Sequence, residues 1–328
     1  MITVGIDHGT SGITTCIKYN GKKTIFKLKR TELKEKSYLE ELKKYIPLEN
    51  IDLIALTYSM GDGINKILPI EKVKNRGILS AEGAGEKIGG GTKVYDEIKD
   101  SGIQTVVIPG LHRGIECLDE RFRALYSHIA SPEKVSIAYY AHKKFGFNDF
   151  ILSDVSSNTV TLIIKDGVIL GGFDACIGAI GILHGPIDLE MIRKIDAGEI
   201  TANDAFSKAG AVKIAKIYEG VEDTKKTIID KYNTDKNCKL AIDSLILSVS
   251  MEINGLLPLI TNKNKKNVVL AGSIGTLRSP IDIPKKLKEL INARIYSLYG
   301  ESGAIGGAII AEDILKGKDN ILGIKVEF

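Results

Sequence analysis

The segment Gly5–Thr14, with the sequence GIDHGTSGIT, spans the turn between two strand-like stretches near the start of the chain. Ile2–Ile6 and Ile13–Tyr19 flank this turn and are rich in β-branched residues, which favour strands. Asn20-Gly21 is then a strong short hairpin signal, and Thr24–Leu28 continues as a third strand. The sequence therefore predicts that the chain opens with three antiparallel strands, the first turn being built from small residues.

The same arrangement recurs roughly 145 residues later in the chain. Phe150–Asp154 and Thr159–Lys165 are strand-like, and a second hairpin signal, Asp166-Gly167, leads into Val168–Gly172. The repetition is one of architecture and not of sequence. It indicates two related domains in an α/β protein.

Helical patterns follow the strands in each half and locate the domain boundary. They occur at Thr31–Tyr45, Glu116–His128, Pro132–Phe145 and Gly303–Leu315. The boundary is placed among the helices near Ser131. The predicted domains are residues 1–131 and residues 132–328, with the closing helix near 303–315 in a position to cross back to the first domain.

The composition excludes several function classes. Lys and Arg exceed Asp and Glu by 45 − 41 = 4 charges in 328 residues, too few to indicate nucleic acid or an anionic membrane as partner. Leu240–Ile260 is apolar but is interrupted by Asp243 and Glu252, so it is interpreted as a buried helix and not as a membrane span. Met1–Gly9 has no basic start followed by an apolar core, and a cytoplasmic location is expected. The four cysteines and five histidines lack the spacing of a zinc site or a disulfide framework.

Many of the 34 glycines lie in four small-residue segments at strand ends. A polyphosphate needs backbone N–H groups pointing at it, and small residues in tight turns supply them. The four segments are Gly5–Thr14, Asp154–Thr159, Val268–Gly275 and Gly300–Ala308. Together they predict a phosphate-binding cleft between the two domains.

Two acidic residues and two hydroxyl residues are the candidates for chemistry in that cleft. Asp7 and Asp154, one in each domain, fit as carboxylates that hold Mg²⁺, usually through water. Thr10 and Ser11 could donate hydrogen bonds to a phosphoryl group. The competing interpretation is that Asp154 only stabilises a turn at a strand end and that Gly5–Thr14 is an ordinary hairpin turn.

The four segments resemble, in the same order, motifs of the superfamily that contains actin, Hsp70, the sugar kinases and acetate kinase. Gly5–Thr14 resembles the first phosphate loop, and the segment from Asp154 resembles the second. Gly272–Gly275 is similar to the adenosine motif, and Gly303–Ala308 to the late connecting helix. The resemblance implies two ribonuclease-H-like domains, an actin-like ATPase fold with ATP and Mg²⁺ in the interdomain cleft. The cofactor-binding residues it implies are Gly9, Thr10, Ser11, Thr14, Ser156, Ser157, Asn158, Gly272, Ser273, Gly275 and Glu301. Glu301 could instead cap the closing helix.

The region from Asn75 to Gly210 is most similar to short-chain carboxylate kinases such as butyrate kinase. Asn75–Leu79 resembles an Arg-Gly-Gly substrate loop, and this makes Arg76 a candidate catalytic residue that clamps a carboxylate or phosphate. His184–Ile187 resembles the Gly-Pro segment after the second phosphate loop. As a whole, the chain is similar to an archaeal family labelled methanogenesis marker protein 12. Acyl kinases dimerise, and the resemblance implies a homodimer here.

The sequence departs from the carboxylate-kinase pattern at three places. Ser156–Asn158 stand where glycines follow the second phosphate loop, and they could crowd a phosphate. Gly272-Ser273 replaces a Gly-Gly pair. The acid expected after the strand Gln104–Ile108 is missing, with Glu116 and Asp119 as candidate substitutes.

Three functions follow from this pattern. The first is an ATP-dependent phosphotransferase acting on a small carboxylate or hydroxyl acceptor, in which Asp7 and Asp154 position the metal ion and the nucleophile. The second is a nucleotide-gated assembly or regulatory protein with little turnover, which the lost glycines at Ser156–Asn158 favour. The third is a reductive activator ATPase with an iron–sulfur cluster, a pattern that isolated cysteines match poorly.

Gly83–Gly91 is interpreted as a flap over the cleft or an ordinary surface loop.

Overall fold

The structure, a computed structural model, describes residues 1–9, 12–80, 90–261 and 266–328. The strands are β1 (Ile2–His8), β2 (Gly12–Tyr19), β3 (Lys22–Lys29), β4 (Leu53–Leu56), β5 (Leu68–Pro69), β6 (Thr105–Val107), β7 (Leu111–His112), β8 (His128–Ala130), β9 (Phe150–Val155), β10 (Thr159–Lys165), β11 (Val168–Phe173), β12 (Asn267–Ala271), β13 (Arg294–Ser297), β14 (Asn320–Ile321) and β15 (Ile324–Lys325). The helices are α1 (Tyr38–Lys43), α2 (Gly91–Asp100), α3 (Glu120–Leu125), α4 (Pro132–Phe145), α5 (Leu189–Asp196), α6 (Ala202–Ser207), α7 (Ala211–Ala215), α8 (Val221–Asp230), α9 (Lys236–Leu256), α10 (Ile283–Leu290) and α11 (Ser302–Leu315).

The first sheet is built on the opening hairpin and has the strand order β3-β2-β1-β4-β6-β5. β1 and β2 pair antiparallel with Asp7 opposite Thr14, and β3 extends the meander. β4 pairs parallel with β1, and β6 pairs parallel with β4. Because the carboxyl ends of parallel strands lie at one edge of a sheet, Asp7 lies at the edge where β4 and β6 also end.

The second sheet repeats this plan with the order β11-β10-β9-β12-β13. β9 and β10 pair antiparallel with Asp154 opposite Val160, and β12 pairs parallel with β9 so that Ala271 lies opposite Asp154. Each sheet therefore consists of an antiparallel meander followed by parallel strands. The predicted α/β fold with a repeated hairpin is confirmed, and Asp154 has the place in the second sheet that Asp7 has in the first.

The closing helix α11 packs on β1, β2 and β4 of the first sheet and against α4. The Thr3 hydroxyl donates a 2.9 Å hydrogen bond to the carbonyl oxygen of Ala308. A Cβ on Gly5 would lie 2.0 Å from a carbonyl oxygen of α11, so the helix approaches the strand as closely as only glycine permits. α4 in turn packs on β9 and β10, and its Tyr139 hydroxyl donates to Asp313 of α11. The pair α4–α11 thus connects the two sheets.

Helix α9 has the length and apolar character of a membrane span over residues Lys236–Leu259. In this structure 56% of the apolar window is buried inside the fold, as expected for the core helix of a soluble protein. The buried side includes Leu245 and Val249, whereas Leu247 and Met251 are exposed. The predicted burial therefore applies to one face of α9, and the opposite face is exposed.

Two predicted helices are shorter in the structure, because in each a capping polar side chain fixes a first helical residue that lies later in the chain than predicted. Ser37 accepts a hydrogen bond from the backbone N–H of Glu40, so α1 begins at Tyr38 and not at Thr31. Asp119 caps α3 in the same way, and His128 belongs to strand β8 instead of a helix. The sequence interpretation also left out α2, α7, α10 and β13.

Candidate functional site

Asp7 lies near the carboxyl end of β1, beneath the first residues of α11. One of its carboxylate oxygens, Oδ1, is buried and has no hydrogen-bond partner. Burial, reinforced by the nearby Glu133 carboxylate, raises the pKa of Asp7 to about 7. A Cβ on Gly303 would lie 2.4 Å from the other oxygen, Oδ2, so the glycine leaves the space that Asp7 occupies.

Asp154 lies at the corresponding place on β9 but has a cationic partner. Its Oδ2 accepts a 2.7 Å hydrogen bond from the Nζ of Lys134, which also lies 3.0 Å from the Oε1 of Glu133. Burial opposes the charge on Lys134, but the two carboxylates outweigh burial and raise the pKa of its ammonium. Gly272 has a φ of +80°, and a Cβ there would lie 2.3 Å from Asp154 Oδ1. The Asp154 carboxylate is therefore enclosed by an ammonium on one side and a glycine backbone on the other.

The two carboxylates do not fit a magnesium ion held between them as they are arranged. Mg²⁺ takes oxygen ligands in near-octahedral geometry. The Asp154 oxygen that such an ion would use accepts the hydrogen bond from Lys134. Within the described ranges, no group of three or more His, Cys, Asp or Glu side chains is arranged to hold a metal ion.

The first loop is held by contacts to its backbone. Arg30 donates from Nε and Nη2 to the carbonyl oxygen of Gly9, at 3.2 and 3.0 Å. His8 is half-buried, and its Nε2 lies 3.3 Å from the carbonyl oxygen of Gly91. Loss of solvation lowers the pKa of this imidazole to about 3. Thr14 is buried on β2 opposite Asp7. Thr10 and Ser11, predicted to bind phosphate, lie outside the described residues, as does most of the predicted flap Gly83–Gly91.

The second loop, Ser156–Asn158, is occupied by hydrogen bonds to its own neighbours. The Ser156 N–H donates to the carbonyl oxygen of Asn158 at 2.7 Å. The carbonyl oxygen of Ser157 accepts from the N–H groups of Leu183 and His184, both at 3.1 Å. Asn158 Oδ1 is buried without a partner. The predicted Gly-Pro segment from His184 therefore starts directly against this loop.

The third segment follows β12 and lies against the end of β9. The N–H groups of Ile274 and Gly275 both donate to the carbonyl oxygen of Val155 at 3.0 Å. Ser273 is exposed, and its hydroxyl accepts a 2.7 Å hydrogen bond from Lys225. Gly272 and Gly275 are thus brought beside Asp154, and Ser273 is turned to the surface.

Glu301 lies two residues before Gly303, which contacts Asp7, whereas Arg76 is engaged by helix α2. Glu301 is exposed at the position before α11, and its side chain makes no capping hydrogen bond. Arg76 has a positive φ of 54° and makes two 2.8 Å hydrogen bonds to Asp96 of α2, a bidentate contact. Its guanidinium therefore already holds a carboxylate of this chain.

The candidate substitutes for the missing acid are engaged elsewhere. Glu116 is exposed and pairs with Lys325 at 2.7 Å. Asp119 caps α3 and holds Arg121 through two 2.8 Å contacts. Where the acid was expected, the N–H of Gly110 donates to the carbonyl oxygen of Gly61 at 2.8 Å.

Sequence reasoning missed four polar residues, of which Lys134 and Glu252 are buried and Arg30 and His128 are half-buried. Lys134 and Arg30 supply cations, His128 pairs with Asp174 at 3.0 Å, and Glu252 is buried on α9. The Asp174 carboxylate opposes the effect of burial and raises the pKa of His128. A signal for Lys134 exists in the sequence, because it is spaced four and seven residues from Ala138 and Ala141 on the buried face of α4.

The paired hairpins and the closing helix define the class of fold: an α/β fold of the actin-like ATPase type. The chain is similar to acetate kinase of Porphyromonas gingivalis, with a TM-score of 0.64 and 11% identity, covering 96% of this chain and 99% of that one. It is also similar to a propionate kinase of Francisella tularensis, with a TM-score of 0.62 and 13% identity, covering 95% and 99%. At such low identity, these likenesses show the fold alone.

The particular family follows from closer relatives. The chain is 83% identical over 328 residues to a UPF0285 protein of Methanocaldococcus jannaschii, covering 100% of both. It is 49% identical over 332 residues to a UPF0285 protein of Methanothermobacter thermautotrophicus, covering 100% of this chain and 99% of that protein. The chain belongs to the UPF0285 family of methanogens. No protein-family profile matches it.

Proposed function

We propose that the protein binds ATP between its two hairpins and transfers the γ-phosphoryl group to a small carboxylate or hydroxyl acceptor. The observation that carries this proposal is the placement of Asp7 and Asp154 at equivalent positions of two repeated sheets. The two groups are close enough for the Asp154 charge to raise the pKa of Asp7. The kinase-like fold supports the reaction class, and the methanogen relatives support a place in methanogen metabolism. We also propose that the chain corresponds to the archaeal family labelled methanogenesis marker protein 12.

In this reaction an acceptor oxygen bonds to the γ-phosphorus while the bond from that phosphorus to the bridging oxygen breaks, and ADP leaves. Phosphoryl transfer depends mostly on positioning and on stabilising negative charge. Lys134, Lys27 and Arg30 are cations near the two carboxylates, and the turn Gly272–Gly275 offers backbone beside Asp154 for the adenosine. ATP would arrive as its magnesium complex, the substrate form of the nucleotide.

The acceptor class decides what Asp7 must do. A hydroxyl acceptor loses a proton as it attacks, whereas a carboxylate acceptor is already ionised near neutral pH. Because the pKa of Asp7 is about 7, this carboxylate suits the role of base for a hydroxyl. Arg76 would bind a carboxylate acceptor by exchanging Asp96 for it.

The experiment is isothermal titration with MgATP on the wild type, Asp7→Asn and the matched control Asp100→Asn, an exposed acid at the end of α2. Saturable heat is expected for the wild type and the control. Transfer from labelled ATP to panels of carboxylates and hydroxyl compounds then follows. With a hydroxyl acceptor, Asp7→Asn should lower the transfer rate about 100-fold or more; with a carboxylate it should not. If no form of the protein shows heat of binding or a thermal shift with MgATP, nucleotide binding is refuted.

A second candidate is a nucleotide-gated assembly or regulatory protein with little turnover. It is favoured by the loop Ser156–Asn158, whose backbone groups already bond to one another and to Leu183 and His184. Of these bonds, the one from the Ser156 N–H to the Asn158 carbonyl oxygen takes a donor away from a γ-phosphate. Tight ATP binding without transfer to any acceptor, together with a nucleotide-dependent change in sedimentation, would favour this function over the first.

The remaining expectations are proposals of the same kind. We propose a homodimer, a small-molecule substrate and a cytoplasmic location, with neither nucleic acid nor a membrane as partner. The exposed Leu247 and Met251 of α9 support an interface between copies. Sedimentation equilibrium tests it, and a Leu247→Glu variant should dissociate the dimer if α9 forms it.

A further inference from the structure

Lys134 is buried at the point where the two halves of the site meet. Its side chain is 9% exposed, and the Asp154 side chain beside it is 7% exposed. The ammonium lies 2.7 Å from Asp154 Oδ2 and 3.0 Å from Glu133 Oε1. Glu133 is itself fixed, because Oε1 accepts a 2.7 Å hydrogen bond from the Ser131 hydroxyl. The lysine is therefore held by carboxylates from α4 and β9.

Asp7 is the third carboxylate of this cluster. The charges of Glu133 and Asp154 act on it in one direction, and that of Lys134 acts in the other. Its Oδ1 is buried without a partner. The Lys134 ammonium is thus in contact with two carboxylates, Asp154 and Glu133, and its charge acts on Asp7 together with that of Lys27.

A lysine ammonium is a compact point charge, which resembles a metal ion more than a planar guanidinium does. Two carboxylates at about 3 Å are the contacts that an ion with oxygen ligands would take from this site. We propose that the Lys134 ammonium takes the place of a protein-bound divalent cation between Asp154 and Glu133, close to Asp7, and that its charge faces the phosphates of the nucleotide. The part about phosphates rests on the proposed function; the part about the cation site does not.

An ion pair that only stabilises the fold would be indifferent to metal ions. If Lys134 occupies a cation site, removal of its ammonium should leave that site free to bind a metal ion. The carboxylates of Asp154 and Glu133 would remain, now without an ammonium between them. The two interpretations therefore differ in a binding measurement that stability alone cannot imitate.

The first experiment titrates the nucleotide-free protein with Mn²⁺ alone and follows free Mn²⁺ by electron paramagnetic resonance. Lys134→Met should gain one saturable site at least about tenfold tighter than any site in the wild type. Lys134→Arg should behave as the wild type, because the charge is kept. Lys144→Met is the matched control, since it removes an exposed lysine from the same helix. The double variant Lys134→Met with Asp154→Asn should lose the gained site.

Two outcomes would overturn the cation site. One is wild-type protein that binds Mn²⁺ as tightly as Lys134→Met does. The other is a folded Lys134→Met protein, judged by circular dichroism, that gains no site. Lys134→Gln, which keeps a polar group for Asp154, takes the place of Lys134→Met if the latter does not fold.

The second experiment measures ATP affinity by calorimetry in EDTA and in MgCl₂. The wild type should keep its affinity within error when magnesium is removed. Lys134→Met should lose at least about tenfold in EDTA and recover with Mg²⁺. A wild type that depends on magnesium as strongly as the variant would overturn the phosphate-facing role. Absence of ATP binding in every form and buffer would instead refute the proposed function, and the Mn²⁺ result would still decide the cation site.

Discussion

The two hairpins β1–β2 and β9–β10 occupy the same place in their sheets, and yet their carboxylates differ in partner. Asp154 is paired with the buried Lys134, whereas Asp7 has an oxygen without a partner and a pKa raised to about 7. The backbone repeats from one sheet to the other, but the surrounding helix does not. α4 supplies its lysine to one carboxylate only. Side chains at equivalent positions in a repeated fold can therefore have different partners.

The largest effect is expected from breaking the paired carboxylate. Asp154→Asn leaves the Lys134 ammonium with Glu133 alone, and an incompletely paired buried charge should lower the free energy of unfolding by about 3 kcal/mol. Asp7→Asn removes a charge that has no partner and should not lower it at pH 8. Urea unfolding of both variants measures the difference. Equal losses would show that the two carboxylates are equivalent after all.

The next largest effects are expected from substitution of the glycines that contact the two carboxylates. In Gly272→Ala the new Cβ would meet Asp154 and also the backbone oxygen of Val155 at 2.3 Å, at a φ of +80°, so a loss of about 2 kcal/mol is expected. In Gly303→Ala the Cβ meets only the Asp7 side chain, and the loss should be smaller. Gly21→Ala, with a φ of +78° and open space, isolates the backbone cost of about 1 kcal/mol. Thermal unfolding ranks the three, and a Gly303 variant as unstable as the Gly272 variant would contradict the order.

Glu252 extends the comparison to a second buried acid without a cation partner. Burial raises its pKa to about 7. At a pH between the ordinary carboxylate pKa and about 7, Glu252 is protonated in the folded state and ionised in the unfolded state. The free energy of unfolding therefore falls as the pH rises through this range. The neutral Glu252→Gln should escape this loss and exceed the wild type by about 2 kcal/mol at pH 8, with little difference near pH 4. Urea unfolding across this pH range measures it; a pH-independent difference would mean that the carboxylate is ionised throughout.

The smallest effect is expected at Arg76, whose ion pair is exposed where that of Lys134 is buried. Arg76→Ala removes a bidentate contact to Asp96 from side chains that are 36% and 42% exposed. The free energy of unfolding should change by less than about 1 kcal/mol. If Arg76 binds the acceptor, the same variant should raise KM for the acceptor far more than it changes stability. Steady-state kinetics beside thermal unfolding separates the two, and an unchanged KM would remove Arg76 from the site.

The sequence predicted the parts of the fold and site that depend on local pattern. Alternating apolar strands and two hairpin signals identified β1–β3 and β9–β11, and a carboxylate at a strand end identified Asp7 and Asp154. Lys134 was not predicted because its partner Asp154 is 20 residues away and only packing brings α4 onto β9. The role of Arg76 was read from a short motif, which gave no information about Asp96 on α2. Helix ends at Ser37 and Asp119 were missed because a capping side chain overrode the helical pattern.

The contact of α11 with β1 has a consequence for synthesis of the protein. Thr3 bonds to Ala308, which is 305 residues further along the chain. During translation the first sheet leaves the ribosome long before the helix that covers it, so one apolar face stays open until the last part of the chain appears. Such a surface is a target for chaperones and a route to aggregation. The order of synthesis therefore leaves the first sheet without its covering helix until the last part of the chain has been made.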